Sequence, residues 1–169
     1  MAIFRRSAEE AELAAVAVRP ATAGDAADVV RLARGLSLSD GGRPSQMTEQ
    51  AFREDGFGAD PAFEVLVAEL NDNIVGYALF FTGYDSDRAS RGIYLSDLYV
   101  DIAWRRHGVG RALMKATARA CRDAGGAWMF WSVLKRNREA RRFYRTLAPE
   151  LKDVVLCAAL GPAFEKLAR

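Results

Sequence analysis

Only two cysteines, Cys121 and Cys157, occur in the 169 residues, and neither stands in a Cys-x-x-Cys pair or at ligand spacing from a histidine. A disulfide framework and a zinc site are therefore not expected. Histidine is scarcer still, with His107 the single one. No stretch approaches the roughly 18 apolar residues that a membrane-spanning helix needs. Glu9, Glu10 and Glu12 interrupt the apolar run that would have to follow Arg5 and Arg6 in a secretory leader, so the expected location is cytoplasmic, with no membrane partner. A surplus of one charge is missing as well: 24 basic residues face 22 acidic ones, and the signs are mixed along the chain. A net charge of +2 gives no argument for a nucleic-acid partner.

What the chain does have is apolar residues, half of the total, enough for the core of one domain. Residues 1–15, rich in Ala and Glu without a partner pattern, read as a flexible extension to a single domain over 16–169. The most informative stretch begins at Ile93. Ile93, Tyr94, Leu95, Leu98, Tyr99 and Val100 are residues that fill a pleated buried surface, so 93–100 reads as a strand. From Val109 the period changes. Ala112, Leu113, Ala116 and Ala120 share one helical face and Arg111, Lys115, Arg119 and Arg122 the other, until Gly125 and Gly126 stop the helix. Between strand and helix lie Arg105, Arg106, His107, Gly108, Val109 and Gly110. Two glycines at a helix entrance let backbone N–H groups converge, and an anion is the natural ligand there. The spacing excludes the better-known phosphate loops: a dinucleotide fingerprint from Gly108 would need glycine at 113, where Leu113 stands, and no Gly-Lys-Ser/Thr follows.

Around this unit the chain reads as a short strand at 16–18, a helix opened by Thr22 and Asp25, and a short helix over 49–54 behind Thr48. Strands at 63–69 and 74–81 are expected to pair antiparallel across Asn71, Asp72 and Asn73. A polar connection over 83–92 leads into the strand at 93–100. The apolar run 127–134 suits a strand covered on both faces and parallel to 93–100, joined through a right-handed crossover. Asn137 caps a further helix, and 154–159 supplies a last strand. The fold class is mixed α/β: antiparallel N-terminal strands, then a parallel pair with flanking helices.

Two blocks carry a resemblance. Arg105-x-x-Gly108-x-Gly110, between a strand ending Leu-Tyr-Val and an Ala-rich helix, resembles the acetyl-CoA pyrophosphate loop of the GNAT acetyltransferase superfamily. Asn137-x-x-Ala140-x-x-Phe143-Tyr144 resembles that superfamily's next strand-helix unit. The resemblance implies a GNAT-like mixed sheet whose parallel pair is splayed, acetyl-CoA as cosubstrate without a metal, and transfer to a small primary amine. It implies that the backbone of Leu98, Tyr99 and Val100 meets pantetheine, that residues from Arg105 to Arg111 (Arg106, His107, Gly108, Val109 and Gly110 between them) hold the pyrophosphate, and that Asn137, Ala140 and Phe143 belong to the cofactor site. Tyr144 is implied as the acid that protonates the departing thiolate. A phenol with a pKa of about 10 can serve a thiol of about 8.5.

The strand at 93–100 resembles most closely the spermidine/spermine branch, in which a glutamate occupies the place of Ser96. Asp97 is retained and is the candidate for the substrate ammonium or for a water-mediated base, with Glu64 and Glu69 as weaker alternatives. Tyr84 and Asp85 match a Tyr-Asp pair that helps hold a cationic di- or polyamine in that branch, with one extra residue between them and Asp97. Other readings stay open: an acyl-CoA-binding module without turnover, motivated by Ser96, or an acetyltransferase for a protein amine. A homodimer is left open. His107 reads as solvent-facing or phosphate-touching rather than catalytic, Trp128, Phe130 and Trp131 as core, and Arg136, Arg138, Arg141, Arg142 and Arg145 as a solvated helix face.

Overall fold

The runs of β-branched and aliphatic residues pair into one sheet. The computed structural model describes residues 16–169, and the expected extension at 1–15 lies outside the described residues. Five strands lie side by side in chain order: β1 (Ala17–Pro20), β2 (Glu64–Leu70), β3 (Asn73–Asp85), β4 (Ser90–Val100) and β5 (Gly126–Trp131). The first four pair antiparallel and the last pair, β4 with β5, is parallel. This is the mixed sheet expected from the sequence. The chain divides after Ser132 into two compact units.

In the first unit, alternation along the strands sends Val65, Val67, Tyr77, Leu79 and Tyr99 to one face. There they pack with Ala26, Val29, Leu32 and Ala33 of α1 (Ala26–Ser39) and with Phe52 of α2 (Glu49–Phe57). The opposite face meets α3 (Val109–Asp123), which buries Val109, Leu113, Met114, Ala116, Thr117 and Cys121. Gly76 allows that approach, because a Cβ there would crowd Leu113 and Val109, each at 3.3 Å. Arg19 ties β1 to the helical layer by bridging Asp25 and Glu69, and it holds the Asp25 carboxyl at about 2, below its ordinary value.

The hairpin between β2 and β3 turns on Asn71 and Asp72, both at positive φ. These are residue types that tolerate the left-handed region. The segment expected as a polar connection over 83–92 is instead mostly strand. Pairing continues through Gly83↔Gly92 and Tyr84↔Arg91 to Asp85↔Ser90, so β3 and β4 form one long ribbon with a tight turn at its tip. Polar side chains hid this pairing, since a ribbon projecting past the core needs no apolar alternation.

In the second unit, α4 (Arg138–Tyr144) and α5 (Pro162–Leu167) are helical, and the expected strand at 154–159 is not formed. Val154, Val155 and Leu156 are exposed instead. β-Propensity alone does not make a strand where no neighbour supplies a ladder. Among the described residues no helix is long and apolar enough to cross a membrane.

Candidate active site

The centre of the site is a one-residue irregularity in β4. Phe80 pairs with Leu95 and Leu79 with Asp97, so Ser96 is the extra residue of a β-bulge. Bulges bend a strand and increase its twist. The parallel partner is lost at the same point: the last pair between β4 and β5 is Leu95↔Trp131. Residues 97–100 keep β3 on one side and, among the described residues, have no strand on the other. Leu98 and Val100 therefore turn their backbone groups to an open edge, where the Val100 carbonyl accepts from Arg105, whereas those of Tyr99 face Tyr77 of β3; this is the splay that the resemblance implies.

Asp97 opens this edge on the α1/α2 face. The Tyr77 hydroxyl donates to Asp97 Oδ2 at 2.7 Å, and the Ser96 hydroxyl donates to Oδ1 at 3.3 Å. Tyr77 is fully buried and, with burial and the Asp97 charge both opposing its ionisation, its pKa is driven far above the ordinary tyrosine range. It is a permanent donor. It orients Asp97 while leaving the carboxylate partly accessible. Sequence reading did not single out Tyr77. Its position across from Tyr99 becomes visible only once the register and the bulge are known.

At the other end of the open edge, Asp101 leads through a 3-10 turn, Ile102–Trp104, into the loop before α3. Arg105 folds back, its Nε donating to the Val100 carbonyl at 3.1 Å and its guanidinium lying 5.5 Å from the Tyr99 ring centroid. Arg106 and Gly108 both have positive φ, 69° and 80°. Gly108 is the N-cap of α3 and its carbonyl accepts the first helical bond, from Ala112, which leaves the amides of 108–111 without partners in the helix. No acidic residue stands in the first turn of α3. Arg106, His107, Gly108 and Arg111 are exposed, whereas Val109 is buried and anchors the helix. Open space surrounds a Cβ built at Gly108, so the requirement for glycine is the backbone conformation and not crowding.

Tyr84 and Asp85 are at the far tip of the ribbon. Six residues of β3 separate Asp85 from Leu79, the partner of Asp97, or about 20 Å of strand. Asp85 is also occupied. Its Oδ1 accepts the amides of Asp87 and Arg88, and its Oδ2 pairs with the Arg88 guanidinium. The Arg88 amide first, then its side chain, hold the Asp85 carboxyl below its ordinary range. The structure thus brings Asp97 together with Tyr77 and Ser96, and does not bring Asp85 to Asp97. Glu64 and Glu69 are on β2, with Glu69 bound to Arg19.

In the second unit, Asn137 caps α4, its Oδ1 accepting the Ala140 amide at 3.0 Å, and the rings of Phe143 and Tyr144 lie 5.3 Å apart. Tyr144 is half-buried in the last turn of the helix. The basic run is not uniformly solvated: Arg141 grips Glu150 through two nitrogens at 2.8 and 2.9 Å and Arg145 adds a third contact, lowering the Glu150 carboxyl to about 2.

The family model described as Acetyltransferase (GNAT) family matches residues 33–148, which include the bulge, the anion loop and α4. The chain belongs to the GNAT acetyltransferase family. This GNAT chain is 35% identical over 147 residues to thialysine N-epsilon-acetyltransferase of Sus scrofa, covering 80% of its own length and 84% of that protein. It is 29% identical over 135 residues to the spermidine/spermine N(1)-acetyltransferase-like protein 1 of Homo sapiens, covering 75% of this chain and 19% of that one. In fold, the GNAT chain resembles the integron cassette protein VCH_CASS6 from the mobile metagenome of V. cholerae, with a TM-score of 0.76 at 22% identity over 91% of this chain and 98% of the other.

Proposed function

We propose that this GNAT enzyme transfers the acetyl group of acetyl-CoA to a primary amine of a small molecule by direct attack. The observation that carries the reading is the open edge of β4 at 97–100, which begins at Asp97 and leads into an anion loop with two left-handed residues. Such an edge fits the amides of a pantetheine arm, and the positive end of α3 behind Gly108, with Arg106 beside it, fits a pyrophosphate. The donor set is built from backbone and guanidinium groups and calls for no metal. Likeness to an enzyme named for the ε-nitrogen of thialysine supports a small amine acceptor.

In this reading the acceptor arrives as an ammonium and must lose a proton before it can attack. Asp97, fixed by Tyr77, holds the ammonium and passes that proton to solvent through water. The neutral nitrogen then bonds to the thioester carbonyl carbon, the C–S bond breaks, and Tyr144 supplies a proton to the thiolate. The role of Tyr144 rests on its place in the Asn137-x-x-Ala140-x-x-Phe143-Tyr144 motif. Thiol release from acetyl-CoA over a panel of amines and peptides tests the reading. Turnover on small amines is the expected result, with Tyr144→Phe lowering it about 100-fold and leaving acetyl-CoA affinity unchanged. Tight acetyl-CoA binding with no turnover on any acceptor would falsify it.

A further inference from the structure

The two edges of the sheet are built differently. β1, at one edge, is four residues long and ends in Arg19 and Pro20. Shortness, a charge and a proline are features that keep an edge strand from taking another strand. β5, at the other edge, reads Gly-Ala-Trp-Met-Phe-Trp and has neither charge nor proline. Among the described residues, no strand pairs with its outer side. The apolar run at 127–134 predicts a strand covered on both faces, with Trp128, Phe130 and Trp131 in the core. Instead, no residue of β5 is buried. The rings of Trp128 and Phe130 lie 4.9 Å apart, and Phe81, on the same face through Tyr94, is 42% exposed. An apolar strand left uncovered at a sheet edge is the mark of an interaction surface.

The same chain carries a strand-forming segment without a ladder. Val154-Val155-Leu156-Cys157-Ala158-Ala159-Leu160 is apolar throughout, rich in β-branched and aliphatic residues at its start, and free of charge and proline. From Leu151 to Ala159, no amide or carbonyl takes part in a backbone hydrogen bond among the described residues. Val155 is 83% and Leu156 70% exposed, and Val154, Leu160, Phe164 and Leu167 are exposed with them. Together these side chains put on the order of 700 Å² of apolar surface in water, more than a monomer commonly shows as one patch. Alternation does not sort the segment into an inner and an outer face, and it does not sort β5 either. Both read as strands meant to be covered on two faces.

We infer that residues 154–160 of one copy add as a strand to the outer edge of β5 of a second copy, and that the exchange is reciprocal, giving a twofold dimer. An unrelated strand would satisfy the edge and leave 154–160 in water. A second copy satisfies both at once and in both directions, which closes the assembly as an isologous contact does. The lengths agree, since β5 has six residues and the segment offers a run of similar length. Main-chain bonds across the new pair supply affinity, and the apolar side chains on its two faces supply the burial. Two such segments, each covered by the partner's sheet, bring the buried area to roughly 1,600 Å², the size of a stable interface.

Sedimentation of the full chain tests it. At about 10 μM the mass should be twice that of one chain. Val155→Pro removes a ladder donor and Leu156→Asp brings a charge to the new pair, and each should weaken the dimer about 100-fold or more. Both side chains are exposed in the single chain, so circular dichroism should show the variants folded. Cys157, the exposed thiol at the centre of the segment, reports without any mutation. A thiol reagent should reach it at least about tenfold more slowly in the dimer than in the same chain unfolded in urea. A chain that stays monomeric overturns the proposal, whether Cys157 reacts freely or is shielded within its own chain. A dimer that neither substitution weakens, or in which Cys157 reacts as fast as in urea, overturns it as well.

Discussion

Asp97 and Asp85 project from one face of one two-stranded ribbon, and they have opposite fates. Asp97 is held by the hydroxyls of Tyr77 and Ser96, and no cation among the described residues is paired with it. Asp85 is saturated by two turn amides and by Arg88, so its charge is spent on building the ribbon tip. A carboxylate's use is decided by what already neutralises it. Both positions matched the polyamine branch by motif, and only the partners separate them.

The sharpest way to break the comparison is Asp97→Asn. It keeps the size and loses the charge, and turnover should fall about 100-fold or more with acetyl-CoA affinity unchanged in calorimetry. Retained turnover would move the proton acceptor elsewhere. Next in size is Tyr77→Phe, which removes the donor and leaves the carboxylate less well oriented. We expect kcat to fall about tenfold, and stability to fall by about 1–3 kcal/mol in urea titration, because a buried hydrogen bond to a charged group is lost. Loss of stability at unchanged kcat would make Tyr77 a packing residue only. The smallest effect belongs to Asp85→Asn. The turn amides keep an acceptor, but Arg88 regains its unscreened charge. Turnover and KM on small amines should move by no more than about two- to threefold, the scale of an exposed ion pair. A collapse of turnover as deep as that of Asp97→Asn would erase the distinction between the two aspartates.

Much of this architecture was legible in the chain. The period change at Val109, the glycine pair before it and the Asn-Asp turn at 71–72 each express a local backbone preference, and each appears where it was read. What escaped depends on pairing. The bulge at Ser96 is an offset between two strands, and no window of one strand contains it. Tyr77 gains its role only through that register. The length of the β3–β4 ribbon was hidden by its polar tip, although the Asp85-x-x-Arg88 spacing, typical of a side chain capping its own turn, offered a sign of it. At 154–159 the error ran the other way: strong β-propensity was read as a strand with no partner identified for it.

The bulge has a genetic consequence. Leu95 and Asp97 point to opposite faces, as consecutive residues of a regular strand would, so Ser96 adds length without changing the phase of anything after it. A gain of one codon at this point leaves every downstream side chain on its own side of the sheet, while the added bend turns the strand away from its parallel neighbour. A mutation of that kind can open a ligand slot in a closed sheet in one event, and removing Ser96 should let β4 and β5 close on each other with the core unaltered.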